Sequence, residues 1–448
     1  MSTLNKKEAL ILFIGDVFIF LVSLWVALLL RYQSVSFLLF YTHLISFSII
    51  FFIWFIVFFI AGLYDSHTTV LKGKLPSIVF NSQLVNSVIA VLFFYFIPFF
   101  GLTPKINLFT TLLVSFILVL LWRRYGYKLA SYQKRQDAII VATSEEARQL
   151  QSEINTNERY GMNIVSYIDL ELLKAESIKK EIEKSVLSPS LSFAIIDFGD
   201  HRIHPILPDL YKLFFSKVRF IEMHRLYENI FDRIPLSLIR EDWILENVAN
   251  YPKPAYDFFK RLIDIIVAVI LGLFSLLLYP FVIIAIALNS RGPVFIYQNR
   301  IGQGNKIIKL IKFRTMLRDD RGDWKNDTSN KVTKVGSFLR RSRIDELPQL
   351  WNVIIGDISL IGPRPEFPEP VRLYNQDIPY YNIRTIIKPG LSGWAQINHQ
   401  NHPHHELDKV ETRNKLSYDF YYIKNRSLVL DVKIALRTIK ILLIFAGK

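Results

Sequence analysis

The chain has 448 residues, and a formal net charge of +15 coexists with a composition that is 51% hydrophobic and 14% aromatic. So much apolar surface excludes a disordered chain, and the absence of cysteine excludes a disulfide-stapled fold, thiol catalysis, Cys-ligated zinc and iron–sulfur clusters. What remains is an integral membrane protein with a basic part that faces an anionic surface or substrate.

The two excesses lie in different places. Residues 1–252 carry a net charge of +2 and residues 253–448 a net +13. A spanning helix needs about 20 apolar residues, and four windows qualify, at 9–30, 37–63, 78–101 and 108–122. They predict a four-span helical bundle within a domain at residues 1–130. Asp16, Asn81, Gln83 and Asn86 fall inside these windows and are expected to hydrogen-bond between helices rather than line a transport path. The short loops on one side hold Lys6, Lys7, Lys72, Lys74, Arg123, Arg124, Lys128, Lys134 and Arg135, and those on the other only Arg31 and Lys105. Nine cations against two orient both ends of the bundle, and the chain that follows, toward the cytoplasm.

Residues 135–250 alternate short buried strands with helical runs. The strands are expected at 138–142, 163–168, 193–198 and 218–223, which suggests a doubly wound, Rossmann-like α/β module. The turn after the first strand reads Val141-Ala142-Thr143-Ser144-Glu145-Glu146. It has no glycine for close backbone approach and two carboxylates where a pyrophosphate would sit, so a structural or regulatory module is expected there. Tyr251-Pro252-Lys253-Pro254 reads as a stiff linker into a domain at residues 255–448.

Residues 262–288 form a fifth apolar run, but Asp264 sits near its start and Pro280 interrupts it. Full crossing would also export the most basic part of the chain. A re-entrant helix that bends at Tyr279-Pro280 and returns to the same face fits these points, with a kinked span as the alternative. Residues 427–445 read as a helix with Lys433, Arg437 and Lys440 on one side. That pattern suits either an anionic leaflet or the domain core.

Four clusters between 300 and 400 carry the chemistry. They are Lys309-Leu-Ile-Lys312-Phe313-Arg314, Arg340-Arg341-Ser342-Arg343-Ile344-Asp345-Glu346-Leu347-Pro348, Gly362-Pro363-Arg364-Pro365-Glu366 and Lys388-Pro389-Gly390-Leu391-Ser392-Gly393-Trp394. Pro348 predicts a helix start, which places Asp345 and Glu346 at its N-terminus, where the macrodipole and three arginines favour ionised carboxylates. An acidic cap on a surface helix is the plain reading of that pair. The surrounding cations favour another, because an ionised carboxylate attacks phosphorus, a neighbouring one can hold Mg²⁺, and arginines grip phosphate oxygens.

With these motifs, residues 257–445 resemble the catalytic domain of the bacterial polyprenyl-phosphate sugar-1-phosphate transferases. The likeness includes Lys260-Arg261-Leu-Ile-Asp264, Gln298-Asn-Arg300-Ile-Gly302 and Tyr418-Asp419-Phe-Tyr421-Tyr422. The whole layout is similar to the long subclass, which includes undecaprenyl-phosphate galactose and glucose phosphotransferases. The resemblance implies a mainly α, monotopic catalytic domain whose re-entrant helix breaks at Pro280 and is anchored by Lys260, Arg261 and Asp264. It implies that Asp345 attacks the sugar-linked phosphate of a UDP-sugar, releasing UMP, and that undecaprenyl phosphate then takes the phosphosugar. Glu346 would hold Mg²⁺, Arg340 and Arg364 would bind phosphate, and Lys312 and Arg314 match a basic motif near the site. The implied partners are UDP-sugar, undecaprenyl phosphate, membrane lipids and a second copy in a homodimer, with no nucleic acid. The implied pathway is initiation of O-antigen, capsule or exopolysaccharide synthesis.

Two other function classes are weaker. A membrane-anchored NAD-dependent dehydratase or epimerase conflicts with the glycine-free turn, and a non-enzymatic assembly scaffold leaves the phosphate-type constellation without a use. His399, His402, His404 and His405 lack a zinc spacing and read as a solvated loop or as facing the substrate sugar. Tyr256-x-x-x-Lys260 matches a dehydrogenase dyad by accident, since Lys260 belongs to the anchor motif.

Overall fold

Long apolar runs become helices because no water competes for their backbone groups in a bilayer. In the computed structural model these are α1 (Ser2–Tyr32), α2 (Phe37–Ile60), α3 (Leu75–Phe96) and α4 (Lys105–Leu121). The structure describes residues 2–64, 75–96, 105–126, 135–157, 160–171, 180, 191–212, 218–248, 253–317, 331–398 and 409–443. Within them, three helices are long and apolar enough to cross a membrane, and residues 106–121 form a shorter apolar helix. Phe20, Leu24, Leu28, Phe47, Ile50, Trp54 and Phe58 are buried between helices, whereas Phe18, Leu30, Phe52 and Phe109 face outward. That apolar exterior suits lipid rather than water. The polar groups turn inward: Asp16 pairs with Arg123 and accepts from the Tyr64 hydroxyl, Gln83 donates to Ser115, and Asn86 donates to Gln83. Asn81 departs from this and lies on the exposed side. Arg123, read as a loop cation from sequence, is buried, and its charge is spent on Asp16. Lys72, Lys74, Lys128 and Lys134 lie outside the described residues.

The next segments form a four-stranded, all-parallel sheet in the order β2-β1-β3-β4, with β1 (Gln136–Val141), β2 (Met162–Ile168), β3 (Leu191–Ile196) and β4 (Arg219–Glu222). Both faces of its central strands are covered, so β1 is apolar and buried from Ala138 to Val141. After β1 comes α5 (Glu145–Thr156), capped by the Ser144 hydroxyl, with Glu145 and Glu146 in its first turn. At the carboxyl edge of the sheet, His224 Nδ1 lies 2.9 Å from Glu222 and 3.6 Å from Asp197, a cluster of one imidazole and two carboxyls that sequence reading did not pick out. Helix α6 (Leu207–Lys212) lies between β3 and β4, and α7 (Met223–Phe231) follows β4.

The chain divides into two compact units, Met1–Asn229 and Ile230–Lys448. This moves the expected boundary near residue 250 back by about twenty residues. The cause is packing within the second unit: Ile234 N–H donates to the Ser417 carbonyl at 3.1 Å, and the Trp394 indole donates to the Asp232 carbonyl at 2.8 Å. Helix α8 (Glu241–Asn247) follows, and Trp243 packs near Phe420. Tyr251 and Pro252, read as linker, lie outside the described residues, as do the four clustered histidines.

The second unit is mostly helical. Helices α9 (Pro254–Leu276) and α10 (Tyr279–Asn289) meet at a bend of 58°. The break falls at Leu277–Leu278, slightly before the expected Tyr279-Pro280, and Pro280 occupies the first turn of α10, where its missing N–H costs nothing. Next come the hairpin β5 (Phe295–Ile301) and β6 (Ile307–Phe313), α11 (Lys334–Ser342), a 3₁₀ turn (Ile344–Gln349) and α12 (Leu350–Ile355). The parallel pair β7 (Ser359–Ile361) and β8 (Gly390–Ser392) flanks α13 (Pro368–Asp377). The chain closes with α14 (Trp394–Asn398), α15 (Lys409–Asn425) and α16 (Leu428–Leu443). On α16 the basic side follows the second of the two expected readings and faces the domain core. Lys433 and Arg437 lie over the Trp394 ring, at 5.0 and 5.3 Å, while Val429, Val432, Ile439 and Leu442 are exposed. Cation–π contact with a buried indole accounts for the inward turn of the two basic groups.

Candidate active site

The site grows from three segments that are distant in sequence. On β6, Leu310 points into the core, and Lys312, two residues on, shares its face. Asn352 on α12 ties that strand down: its amide accepts from Ile311 N–H and donates to the Lys309 carbonyl and the Asp357 carboxylate. At the end of α11 the backbone of Arg343 turns left-handed, with φ of 59°, a conformation that costs a non-glycine residue about 1–2 kcal/mol. It separates α11 from the 3₁₀ turn that carries Asp345 and Glu346. The third segment is the Gly362–Glu366 turn between β7 and α13. Gly390 lies so close to Gly362 that an added Cβ would come within 2.1 Å of its nitrogen, so only glycine permits this pairing of β7 with β8.

These segments converge on Glu346. Its Oε1 receives Lys312 Nζ at 3.2 Å, Arg364 Nη2 at 3.1 Å and Arg343 Nη1 at 3.6 Å. Burial by itself would raise the Glu346 pKa, but Lys312, Arg364 and Arg343 outweigh it and hold this carboxyl well below the ordinary carboxylate range. Asp345 behaves in the opposite way. It is 7% exposed, its buried Oδ1 has no hydrogen-bond partner among the described residues, and burial, then the Glu346 charge, pushes its pKa up to about 6. Lys312, Arg340 and Arg343 pull it down without cancelling the rise. The expected helix start is there, with Asp345 and Glu346 in the first turn of the 3₁₀ segment, but the expected easing of Asp345 ionisation is reversed. A single 3₁₀ turn supplies little dipole, and desolvation dominates.

Of the other residues singled out from sequence, Arg340 reaches the Thr315 hydroxyl from α11 at 2.9 Å and contributes charge to Asp345. Arg314 is not brought to Glu346. The residue is 4% exposed, and its guanidinium donates to the Ser290 and Arg291 carbonyls, closing the turn between α10 and β5. Lys260 pairs with Asp431 at 3.1 Å, Arg261 donates to the Val353 and Ile354 carbonyls, and Asp264 accepts from Ser359 Oγ at 2.6 Å and Leu360 N–H. All three tie α9 to the domain beneath it. Tyr256 donates to Asp431 as well, so the Tyr256–Lys260 pair is part of this anchor. Arg343 and Asn352 did not emerge as site residues from sequence. For Arg343 the signal was its place three residues before Glu346; for Asn352 there was none.

A cleft opens beside Arg364, walled by Ile301, Gly302, Pro363, Glu366, Tyr381 and Arg384 among others. An orphaned carboxylate oxygen on Asp345 beside a carboxylate crowded by cations makes up a site that can offer a nucleophile and neutralise phosphate charge. The donor set also fits Mg²⁺, which takes one or two carboxylates and shares the rest of its shell with substrate phosphates.

Residues 255–444 match the family described as bacterial sugar transferase. The chain is 46% identical over 196 residues to the UDP-N-acetylgalactosamine-undecaprenyl-phosphate N-acetylgalactosaminephosphotransferase of Aeromonas hydrophila, covering 43% of this chain and 45% of that protein. It thus spans less than half the length of that relative. It is 38% identical over 190 residues to an uncharacterized sugar transferase of Bacillus subtilis, covering 42% of this chain and 89% of that one. With the UDP-galactose-lipid carrier transferase of Erwinia amylovora it is 27% identical over 380 residues, 74% of each chain.

Proposed function

The chain belongs to the bacterial sugar transferase family, and on that premise we propose that it moves a sugar 1-phosphate from a UDP-sugar to undecaprenyl phosphate at the cytoplasmic face of the inner membrane. The observation that carries this reading is the split between two adjacent buried carboxylates. Glu346 is held ionised by three cations, and Asp345 is left with an unpartnered oxygen beside them. Asp345 attacks the sugar-linked phosphorus, the bond from that phosphorus to the UMP oxygen breaks, and UMP leaves with the electron pair. An oxygen of undecaprenyl phosphate then attacks the same phosphorus, and the bond to Asp345 breaks to restore the carboxylate. Lys312, Arg343 and Arg364 offset charge on the phosphate, with Arg340 adding field from α11. Mg²⁺ at Glu346, when bound, would draw negative charge from the diphosphate. Arg314 keeps a supporting role at the base of β6.

In this reading α1–α4 are four spans, and α9–α10 dip into the bilayer and return to the same face. Both arms of the bend are tied to the same small domain, α9 through Arg261 and Asp264, α10 through Val282 and Ile286 packed on Phe313 and Leu339. That is the arrangement a re-entrant pair requires. The sheet of the first unit, with carboxylates at the turn after β1, fits a structural or regulatory Rossmann-like module.

The test is UMP release by membranes holding the full chain, supplied with UDP-galactose, UDP-glucose or UDP-N-acetylgalactosamine and undecaprenyl phosphate. The relative with 46% identity across the domain that holds the site is named for N-acetylgalactosamine, so that sugar joins the two hexoses that the subclass suggests. Release from none of the three overturns the reading. The raised Asp345 pKa adds a pH signature. Only the ionised form attacks, so the UMP burst measured without lipid acceptor should fall about tenfold per unit below pH 6 and level off above it. A burst flat between pH 5 and 7 would exclude a nucleophile that titrates near pH 6.

A further inference from the structure

We propose that Arg384 is a positioning residue for Arg364, holding the Gly362–Glu366 turn from behind so that the Arg364 guanidinium stays aimed at the Glu346 carboxylate. The inference rests on the reading of Arg364 as a phosphate-binding arm.

The turn is pinned at four successive carbonyls, from Pro363 to Glu366. Pro363 accepts from Gly390 N–H at 2.9 Å, Arg364 from Arg384 Nη2 at 3.1 Å, Pro365 from Arg300 Nη1 at 3.4 Å and Glu366 from Ile301 N–H at 2.9 Å. Two of the four donors are backbone groups, already ordered by the strands. The carbonyl of Arg364 itself depends on a side chain, and Arg384 supplies it from a position only 5% exposed. The same guanidinium lies 2.7 Å from Glu366 and 2.8 Å from Asp419, and it donates to the Tyr381 hydroxyl at 2.6 Å. Lys415 and Tyr381 also close onto Glu366.

The cluster sets two carboxylates against two cations inside the domain. Well-packed apolar side chains of similar volume usually fill a core at least as stably as buried ion sets, so bulk stability is a poor reason for it. Geometry is a better one. A planar guanidinium can hold a carbonyl and two carboxylates in a fixed fork, which an ammonium cannot. Both terminal nitrogens of Arg384 are committed inward, so although it borders the cleft it acts on substrate through Arg364. If the carbonyl of Arg364 loses its donor, that peptide can rotate, and the guanidinium that meets Glu346 at 3.1 Å moves with it.

The test is a double-mutant cycle on the full chain in membranes, read as UMP release from the best UDP-sugar. Arg384→Lys keeps the charge but not the fork. Tyr381→Phe keeps the ring and removes one contact to Arg384 and one to Glu366. Each is made in the Arg364 and the Arg364→Ala backgrounds. With Arg364 present, kcat/KM should fall about tenfold for Arg384→Lys and about threefold for Tyr381→Phe, mostly through a higher KM. In the Arg364→Ala background each should cost less than about twofold more. Equal losses in both backgrounds, or no loss in either, overturn the inference. If Arg384→Lys fails to accumulate, Tyr381→Phe decides, because it preserves the packed volume. Should Arg364→Ala alone leave kcat/KM unchanged, the reading of Arg364 fails and takes the inference with it. Should Arg364→Ala be impaired while the cycle is additive, only the inference fails.

Discussion

Asp345→Asn is expected to lower UMP release by at least about a thousandfold while leaving the fold intact or more stable. The two effects share one cause. The carboxyl is buried beside Glu346, and its pKa is pushed from the ordinary 3.8 to about 6. Because the folded value lies above the unfolded one, the folded state binds a proton more readily between these limits. Stability is therefore lost as pH rises from about 4 through 6. At neutral pH the ionised side chain costs the fold about 2–3 kcal/mol. A neutral amide of the same shape removes that cost together with the nucleophile. Thermal unfolding of detergent-solubilised protein at pH 7 and the UMP burst check both halves. A variant that stays active, or one that unfolds more easily than the parent, contradicts the assignment.

One residue on, Glu346→Gln is expected to reverse the stability effect. Glu346 is held below its ordinary pKa, so its contribution is present above about pH 4.5 and lost as pH falls through the folded value. At pH 7 the substitution leaves Lys312, Arg364 and Arg343 without their common partner. Breaking a buried pair in this way costs about 3–5 kcal/mol. Faster proteolysis and a lower unfolding midpoint should accompany loss of UMP release. The double variant Glu346→Gln with Lys312→Met removes a stranded charge and should recover part of the stability but none of the activity. Parent-like stability in the single variant would mean that the three cations are not paired with Glu346 in the membrane.

Much of the molecule was legible along the chain. Apolar runs of spanning length, the four strand segments and the position of Ser144 before α5 are local patterns, and the structure places elements there with boundaries shifted by a few residues. The Asp345-Glu346 pair and the Pro363-Arg364-Pro365 turn were visible as a juxtaposition of carboxylates, arginines and rigid backbone. Less legible were features set by what packs against what. Asp232 and Ile234 look like the tail of an α/β module until they bond to Trp394 and Ser417. Arg314 reads as one more cation of a basic strand until its donors are seen on the Ser290 and Arg291 carbonyls.

By itself the sequence determined that this protein sits in a membrane, that its positive charge gathers in the last 196 residues, and which carboxylate pair stands among arginines. Composition and periodicity carry such facts because they are properties of neighbouring residues. Only the tertiary structure decided which of two adjacent carboxylates is held charged. Residues 312, 343 and 364 meet at Glu346, and residues 366, 384 and 419 meet behind Arg364. Desolvation and Coulomb energy depend on distance in space and on exclusion of water, and neither is written in the spacing of residues along a chain.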